Sequence, residues 1–384
     1  MIGDAPIVAL SEASHGVPEP LEFRNRLFEY LVENKGFTAI ALESGIVESR
    51  VVHDYVLGDS SASEDTALAE GISWTFDRLP QNRALVRWMR DYNRHSRNGR
   101  QIHFYGFDVP GSPGEPNANR GMATALLEAM RYLFRVDSHA AQALQHRLEP
   151  LIENLRFDFQ RTGDSPGYDR LSRVERDGLT ALIADLNALM RQNKNKYAAA
   201  TSTNDYEWAH RAAIGAEQAD SWLREIPLDW VPSRDPLVLP SAQTRFFPTA
   251  TDLRDRAQAE NLEWIIGREG PSGKVLVFGH RYHLSAATVK VAWAGWREQV
   301  PMGTYLRERF GKRFVTIGNL TAREARELGQ SSFLLDLRAA PPSIADWLTG
   351  EQSLGQGSSA MRLSLGRAFD ALLYLDTAAS AYEP

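Results

Sequence analysis

The sequence predicts an α/β protein: a central, mostly parallel sheet flanked by helices, with a large all-helical insertion forming the other wall of a cleft. Three observations carry this. Short apolar runs (IVAL, TAIAL, IHFY) alternate with amphipathic stretches near the start of the chain. Strand signals then vanish across residues 118–225, which are rich in the helix formers Ala, Leu, Arg, Gln and Glu. They resume with KVLVF, FVTI, FLLDL and ALLYL, again interleaved with helical spacing. Both ends of the chain therefore belong to one sheet. The expected division is an α/β core of residues 1–117 and 231–384, and a helical insertion of residues 118–230.

Taken in order, Ile7 to Leu10 reads as a buried strand, followed by the loop SEASHGVPEP, punctuated by Gly16, Pro18 and Pro20. A helix is expected from Leu21 to Glu33, with Phe23, Leu27, Tyr30 and Leu31 at the spacing of one buried face. Thr38 to Leu42 is the second strand, and IVESRVVHDYVLG after it has helical spacing. The helical pattern from Trp74 to Arg97 leads to a third strand, Ile102 to Tyr105, which opens into the loop GFDVPGSPGEPNAN. In the middle of the chain, TGDSPG breaks the helical pattern, and DWVPSRDPLVLP is a Pro-punctuated return. A helix over 252–268 then buries Leu253, Ala257, Leu262, Ile265 and Ile266. Four more strands follow at Lys274–Phe278, Phe314–Ile317, Phe333–Leu337 and Ala371–Leu375. Trp74, Trp88 and Trp264 sit among apolar neighbours at helical spacing and read as core.

The 384 residues are 43% hydrophobic and 24% charged, enough for a substantial core. A net charge of −6 without a polybasic tract argues against a nucleic-acid partner or an anionic membrane surface. No run reaches the ~20 apolar residues a membrane-spanning helix needs. The N-terminus MIGDAPIVAL has no basic, apolar leader, so a cytoplasmic location is expected. The absence of cysteine excludes a disulfide scaffold, a thiolate metal site and a Cys nucleophile. Neither G-x-S-x-G, nor a phosphate-binding Gly-rich loop, nor H-E-x-x-H occurs.

What remains is a set of titratable residues just past the strand signals, on the rim where α/β sheets build their sites. Glu12 and His15 stand three apart in the first loop, a spacing that lets the carboxylate orient the imidazole and raise its basicity. Glu43 ends the second strand. His280 and His283 form H-R-Y-H after the KVLVFG strand, and two such His with a Glu also allow a metal-held water. Arg24 falls in the first turn of the first helix, placed to bind a substrate oxygen or a developing oxyanion. Asp108, in FYGFDVPG, and Arg254, in TDLRDRAQAENLEW, are weaker candidates for binding substrate. The arrangement points to acid–base chemistry on a small molecule. A metal-dependent hydrolase, a biosynthetic enzyme that cyclises, eliminates or transfers an acyl group, and a binding protein for an apolar ligand stand beside that reading.

The motifs in order resemble the erythromycin esterase family. The resemblance runs through VALSEASHGVPEPLEFRNRL, GFTAIALESGIVESRVVHDYVLG, QIHFYGFDVPG, RDRAQAENLEWI, KVLVFGHRYHLS, PMGTYLRERFGKRFVTIG and FDALLYLD, nearly the whole chain apart from its helical middle. It implies a sheet-and-helix core with a helical bundle and a deep cleft between them. It also implies hydrolysis of a macrolide lactone ester with no cofactor and no required metal. By the same resemblance His15 is the general base that activates water, Glu12 orients it, and Arg24, Glu43 and His280 complete the site. The chain departs from the family pattern at Arg281, where H-N-x-H has Asn, and at Gln258, where Met is usual.

Overall fold

The computed structural model describes residues 2–73, 76–96, 99–110, 121–155, 168–225, 248–325 and 332–376. Trp74, Arg97, most of the Gly/Pro-rich loop after the third strand, TGDSPG and the Pro-punctuated return lie outside these residues.

The first part of the chain runs β1 (Ile7–Glu12), α1 (Pro18–Lys35), β2 (Ala39–Gly45), α2 (Arg50–Leu57), α3 (Glu64–Gly71), α4 (Pro80–His95) and β3 (His103–Asp108). Helices follow: α5 (Met122–Val136), α6 (Ser138–Leu148), α7 (Arg173–Gln192), α8 (Lys194–Ala200), α9 (Thr203–Arg224) and α10 (Pro248–Glu269). Strands then return: β4 (Val275–His280), β5 (Val289–Val291), β6 (Arg297–Gln299), α11 (Met302–Phe310), β7 (Phe314–Leu320), α12 (Ala322–Ala325) and β8 (Ser332–Asp336). The chain closes with α13 (Pro342–Thr349), β9 (Glu351–Leu354), β10 (Met361–Ser364), α14 (Leu365–Ala368) and β11 (Ala371–Leu375).

Seven strands form one sheet in the order β3-β2-β4-β1-β7-β11-β8. Every pairing in it is parallel except that of β8 with β11. The α/β class expected from the sequence is the one observed. Side chains alternate between two apolar layers, as a pleat with period two requires. Ile7, Ala9, Ala39, Ala41, Val275 and Val277 face the layer built with α5, α7, α9 and α10. Val8, Leu10, Ile40, Leu42, Leu276 and Phe278 face the layer built with α1, α2 and α4. Coverage on both faces is why these strands read as continuous apolar runs.

The structure corrects several sequence expectations. β1, β3 and β4 each continue past the apolar run to its polar end, so Glu12, Asp108 and His280 are strand residues and not loop residues. Glu43 likewise lies inside β2. α1 begins at Pro18, which suits a first helical position, so Arg24 lies beyond the first turn. The buried stripe of α1 is Leu21, Arg24, Phe28, Leu31 and Val32; Tyr30 is exposed and Phe23 and Leu27 are half-buried. The apolar spacing found a helix but placed its inner face about one position off, because an arginine occupies the core side. A second, antiparallel sheet, β6-β5-β10-β9, was not anticipated. Trp88 and Trp264 do pack against the core, half-buried.

The edge strand β3 approaches β2 closely where the register shifts between Leu42 and Gly45. Gly106 makes this possible: a Cβ there would collide with the carbonyl oxygens of Ser44 and Gly45. Gly106→Ala is expected to destabilise the fold by about 1–3 kcal/mol, as overpacking against backbone does, read as a lower midpoint in urea unfolding.

Candidate active site

The sheet order sets the site. β2, β4 and β1 are neighbours, so their C-terminal ends stand side by side. Glu12 and His280 are direct register partners across β1 and β4. Glu43 sits one strand further, inside the register shift of β2.

His15 follows from a short turn held at both ends. Asn319 at the end of β7 donates its backbone N–H to Ser11 Oγ at 2.9 Å and accepts from the Ala13 N–H at 3.2 Å. Gly16, at φ +76°, turns the chain into α1. His15 Nδ1 meets Glu12 Oε1 at 2.7 Å. Its Nε2 has no hydrogen-bond partner among the described residues, and 42% of the side chain is open to solvent. Glu12 itself is buried, and its Oε2 has no partner among the described residues. The rings of Phe76 and His280 flank His15 at 5.2 and 5.1 Å. Desolvation pulls the His15 pKa down, but the Glu12 hydrogen bond and the charges of Glu43 and Glu12 outweigh it, leaving it raised above 6.5.

His280 has the opposite character. Its Nδ1 accepts the Tyr282 backbone N–H at 3.3 Å, which places the ring proton on Nε2. Burial, followed by the nearby positive charge of His15, holds its pKa well below 6.5, so the ring is neutral.

Glu43 is buried yet ionised. Burial raises its pKa, and His283, then His15 and Arg254, overcome that and hold it well below the ordinary value. Oε2 accepts the His280 backbone N–H at 2.8 Å. Oε1 lies 3.3 Å from His283 Nε2 and 3.2 Å from Arg254 Nη2. Arg254, on α10, also forms a two-pronged pair with the fully buried Asp108, with Nε to Oδ1 at 3.0 Å. Gln258, one turn on, adds a 3.0 Å bond to Asp108 Oδ1, and Asn261 donates to the Phe107 carbonyl at 3.0 Å. These three polar side chains tie α10 to the end of β3.

Eight residues were singled out from the sequence, and the structure gathers them in one region. Glu12, His15, Glu43, His280, His283 and Arg254 are linked by contacts or by charge, with Asp108 behind Arg254. Arg24 lines a small cavity with Glu12, Glu43 and Phe278. Its guanidinium is buried, bonds Asn25 Oδ1 at 3.0 and 2.8 Å and lies 4.8 Å from the Phe278 ring centroid. Desolvation lowers its pKa to about 10 against the opposing pull of Glu12. Among the described residues, no three His, Asp or Glu side chains are arranged to hold a metal ion. Two residues were missed. Asp255 is fully buried and meets His283 Nδ1 at 2.7 Å. Phe76 packs on His15; the helix expected from Trp74 to Arg97 took it in, whereas Phe76 opens a separate 3₁₀ turn, Phe76–Arg78, and α4 begins only at Pro80.

Arg281 does not belong to this rim. It is buried in a two-pronged pair with Glu324, at 2.7 and 2.8 Å, and Glu324 also accepts the backbone N–H groups of Thr321 and Gly355. The large cation in H-R-Y-H therefore ties β4 to α12 and to the turn after β9.

A neutral imidazole, a carboxylate-held imidazole and a buried ionised carboxylate at the C-terminal rim of a parallel sheet define an enzyme-like acid–base site on an α/β fold. The erythromycin esterase family model matches residues 32–326, and the chain belongs to that family. It is thereby a hydrolase of the carboxylic-ester class. Erythromycin esterase type II of Escherichia coli is 20% identical over 323 residues, covering 83% of this chain and 69% of the relative. A Bacillus cereus crystal structure superposes with a TM-score of 0.74 at 22% identity, covering 98% of this chain and 89% of that one. A mutant of the erythromycin esterase EreC, in its open conformation, does so at 0.66 with 19% identity, covering 99% and 93%.

Arg254 neutralises two buried carboxylates at once. Arg254→Leu is expected to lower stability by roughly 3–5 kcal/mol, since it leaves Asp108 and Glu43 without their shared cation. Chemical denaturation at pH 7 measures it.

Proposed function

We propose that the chain hydrolyses an ester or lactone of a small, largely apolar molecule, with a macrolide as the first substrate class to test, using His15 as general base. The observation that carries this is the 2.7 Å contact of His15 Nδ1 with Glu12, which leaves Nε2 with no partner among the described residues on a half-open ring. In this reading Nε2 takes a proton from water, and the water oxygen attacks the ester carbonyl. Glu12 holds the ring and stabilises the imidazolium that forms. The neutral His280 ring, 5.1 Å from His15, donates its Nε2–H to the developing oxyanion. Glu43 fixes the His280 backbone and adds negative charge that favours the protonated base. Arg24 acts from behind, offsetting the buried charge of Glu12. Asp108 and Arg254 hold Glu43, and the helices α5 to α9 form the opposite wall of the cleft. No cofactor or metal enters this scheme, and nucleic acid is not a partner. No helix among the described residues is long and apolar enough to cross a membrane, and a cytoplasmic location fits a small-molecule substrate.

The test is incubation with a panel of macrolides and simpler esters, with products read by mass. Opening a lactone ring adds 18 mass units, from one water by simple stoichiometry, and an acyclic ester splits into an acid and an alcohol that share that water, while a loss of one water would mean cyclisation or dehydration and would overturn the proposal. His15→Ala is expected to keep its fold and lose about 10²–10⁴-fold in kcat/KM; near-wild-type turnover in a folded variant rules His15 out as base.

The pH profile gives a second check. The base works deprotonated, so kcat/KM should rise with pH through a His15 pKa above 6.5. Glu12→Gln removes the raising influence, so the rising limb should move to lower pH while the plateau falls. A limb unmoved by Glu12→Gln would contradict the assignment.

A further inference from the structure

The His283 imidazole is enclosed by charge on every side. From α10 come Asp255, 2.7 Å from Nδ1, and Arg254, whose Nη1 is 3.3 Å from Nε2. From β2 comes Glu43 Oε1, 3.3 Å from the same Nε2. The neighbouring Tyr282 ring stands edge-on at 4.9 Å. His280 at the end of β4 and His15 beyond it complete the surroundings, and both feel His283 as a charge. Asp108 lies behind Arg254.

We infer that Asp255 is a positioning residue: it holds His283 as a fixed, oriented cation, and that cation in turn clamps Glu43 at the rim. The effect on activity rests on the hydrolase reading above; the geometry does not.

Three observations support it. Asp255 is fully buried, so its carboxylate was placed there at a cost that water does not offset. The same oxygen, Oδ1, accepts both from His283 Nδ1 and from the Met302 backbone N–H at 2.9 Å, at the start of α11. Asp255 is therefore pinned by a second element, and the imidazole it holds cannot turn. Finally, Arg254 reaches the same Glu43 Oε1 at 3.2 Å and stands 3.3 Å from Nε2, so on that nitrogen the pull of Glu43 is opposed by a second cation. A second carboxylate on the far nitrogen resolves that competition. Burial pulls the His283 pKa down, but Asp255 and Glu43 together lift it to about 10. The chain of alternating charge then reads Asp255, His283, Glu43, Arg254, Asp108.

The test is Asp255→Asn in the full chain. An Asn keeps an oxygen for the Met302 N–H and for Nδ1–H, and removes only the charge. In wild type, ring-nitrogen NMR should find His283 protonated at pH 8, losing its proton only near pH 10. In Asp255→Asn the ionisation should fall by about 1–3 pH units. The alkaline limb of the kcat/KM profile should fall with it, with kcat reduced more than KM is changed. A purely structural role would lower the unfolding midpoint and leave both ionisations in place, and that result overturns the inference. If Asp255→Asn does not fold, the wild-type titration decides: His283 neutral at pH 8 overturns the inference and His283 protonated upholds it. The two readings fail separately. Full turnover by His15→Ala removes the general-base mechanism and leaves the His283 titration untouched. An inactive His15→Ala beside an unaltered Asp255→Asn profile removes only the role of Asp255.

Discussion

A buried, ionised carboxylate is the constraint around which this rim is organised. Glu43 sits where water cannot solvate it, and an uncompensated charge there would cost several kcal/mol. Compensation must therefore come from elements that the chain brings from far away. β4 supplies a backbone N–H, the turn after it supplies His283, and α10 supplies Arg254. Each compensating group then needs a partner of its own. Arg254 takes Asp108 from β3, and His283 takes Asp255 from α10. One carboxylate thus fixes the relative positions of three strand ends and the long helix that covers them. The Glu12–His15 pair stands at the end of β1 and in the turn that follows it, beside β4 in that same frame.

The frame is braced from the opposite side as well. Arg281 and Glu324 form a second buried pair just behind His280, and Glu324 also accepts the Gly355 N–H at the turn between β9 and β10. The small antiparallel sheet is thereby joined to the strand that carries His280. A substitution that looks like a change of specificity in the motif is, in three dimensions, a change in how β4 is anchored. Its partner stands 43 residues away in sequence, since 324 − 281 = 43, and no local pattern links them.

This separates what was legible in the sequence from what was not. Strands in a doubly covered sheet must be apolar throughout, so IVAL, TAIAL, KVLVF and ALLYL announced themselves, and the polar residue ending each run marked the rim. Glu12, His15, Glu43 and His280 were found in that way. β5 and β6 have three residues each and lie outside the main sheet, too short to show an alternation. α10 misled in a different manner. Its apolar spacing gave the helix, but Asp255, Gln258 and Asn261 are as deeply buried as Leu262 and Ile265. Periodicity counts buried polar residues as surface, so a helix that binds the sheet through hydrogen bonds hides its working face. Arg24 was missed as a core residue for the same reason: its burial depends on the Phe278 ring and Asn25, which sequence spacing does not reveal.

The two histidines of H-R-Y-H show how far environment, and not residue type, assigns a role. They are three residues apart and both buried or nearly so, and desolvation pushes both toward neutrality. His280 accepts a backbone N–H and faces the positive side of His15, so nothing reverses that push. His283 lies between Asp255 and Glu43, and two anions do reverse it. The result is a neutral ring next to His15 and, one layer below, a ring held toward its charged form. Were the two exchanged, Glu43 would lose the charged ring that stands 3.3 Å from its Oε1. The division follows from which side of the β4 end each ring leaves: one toward β1, the other toward α10. Carboxylate placement on α10, more than the motif itself, sets the two rings of that spacing apart.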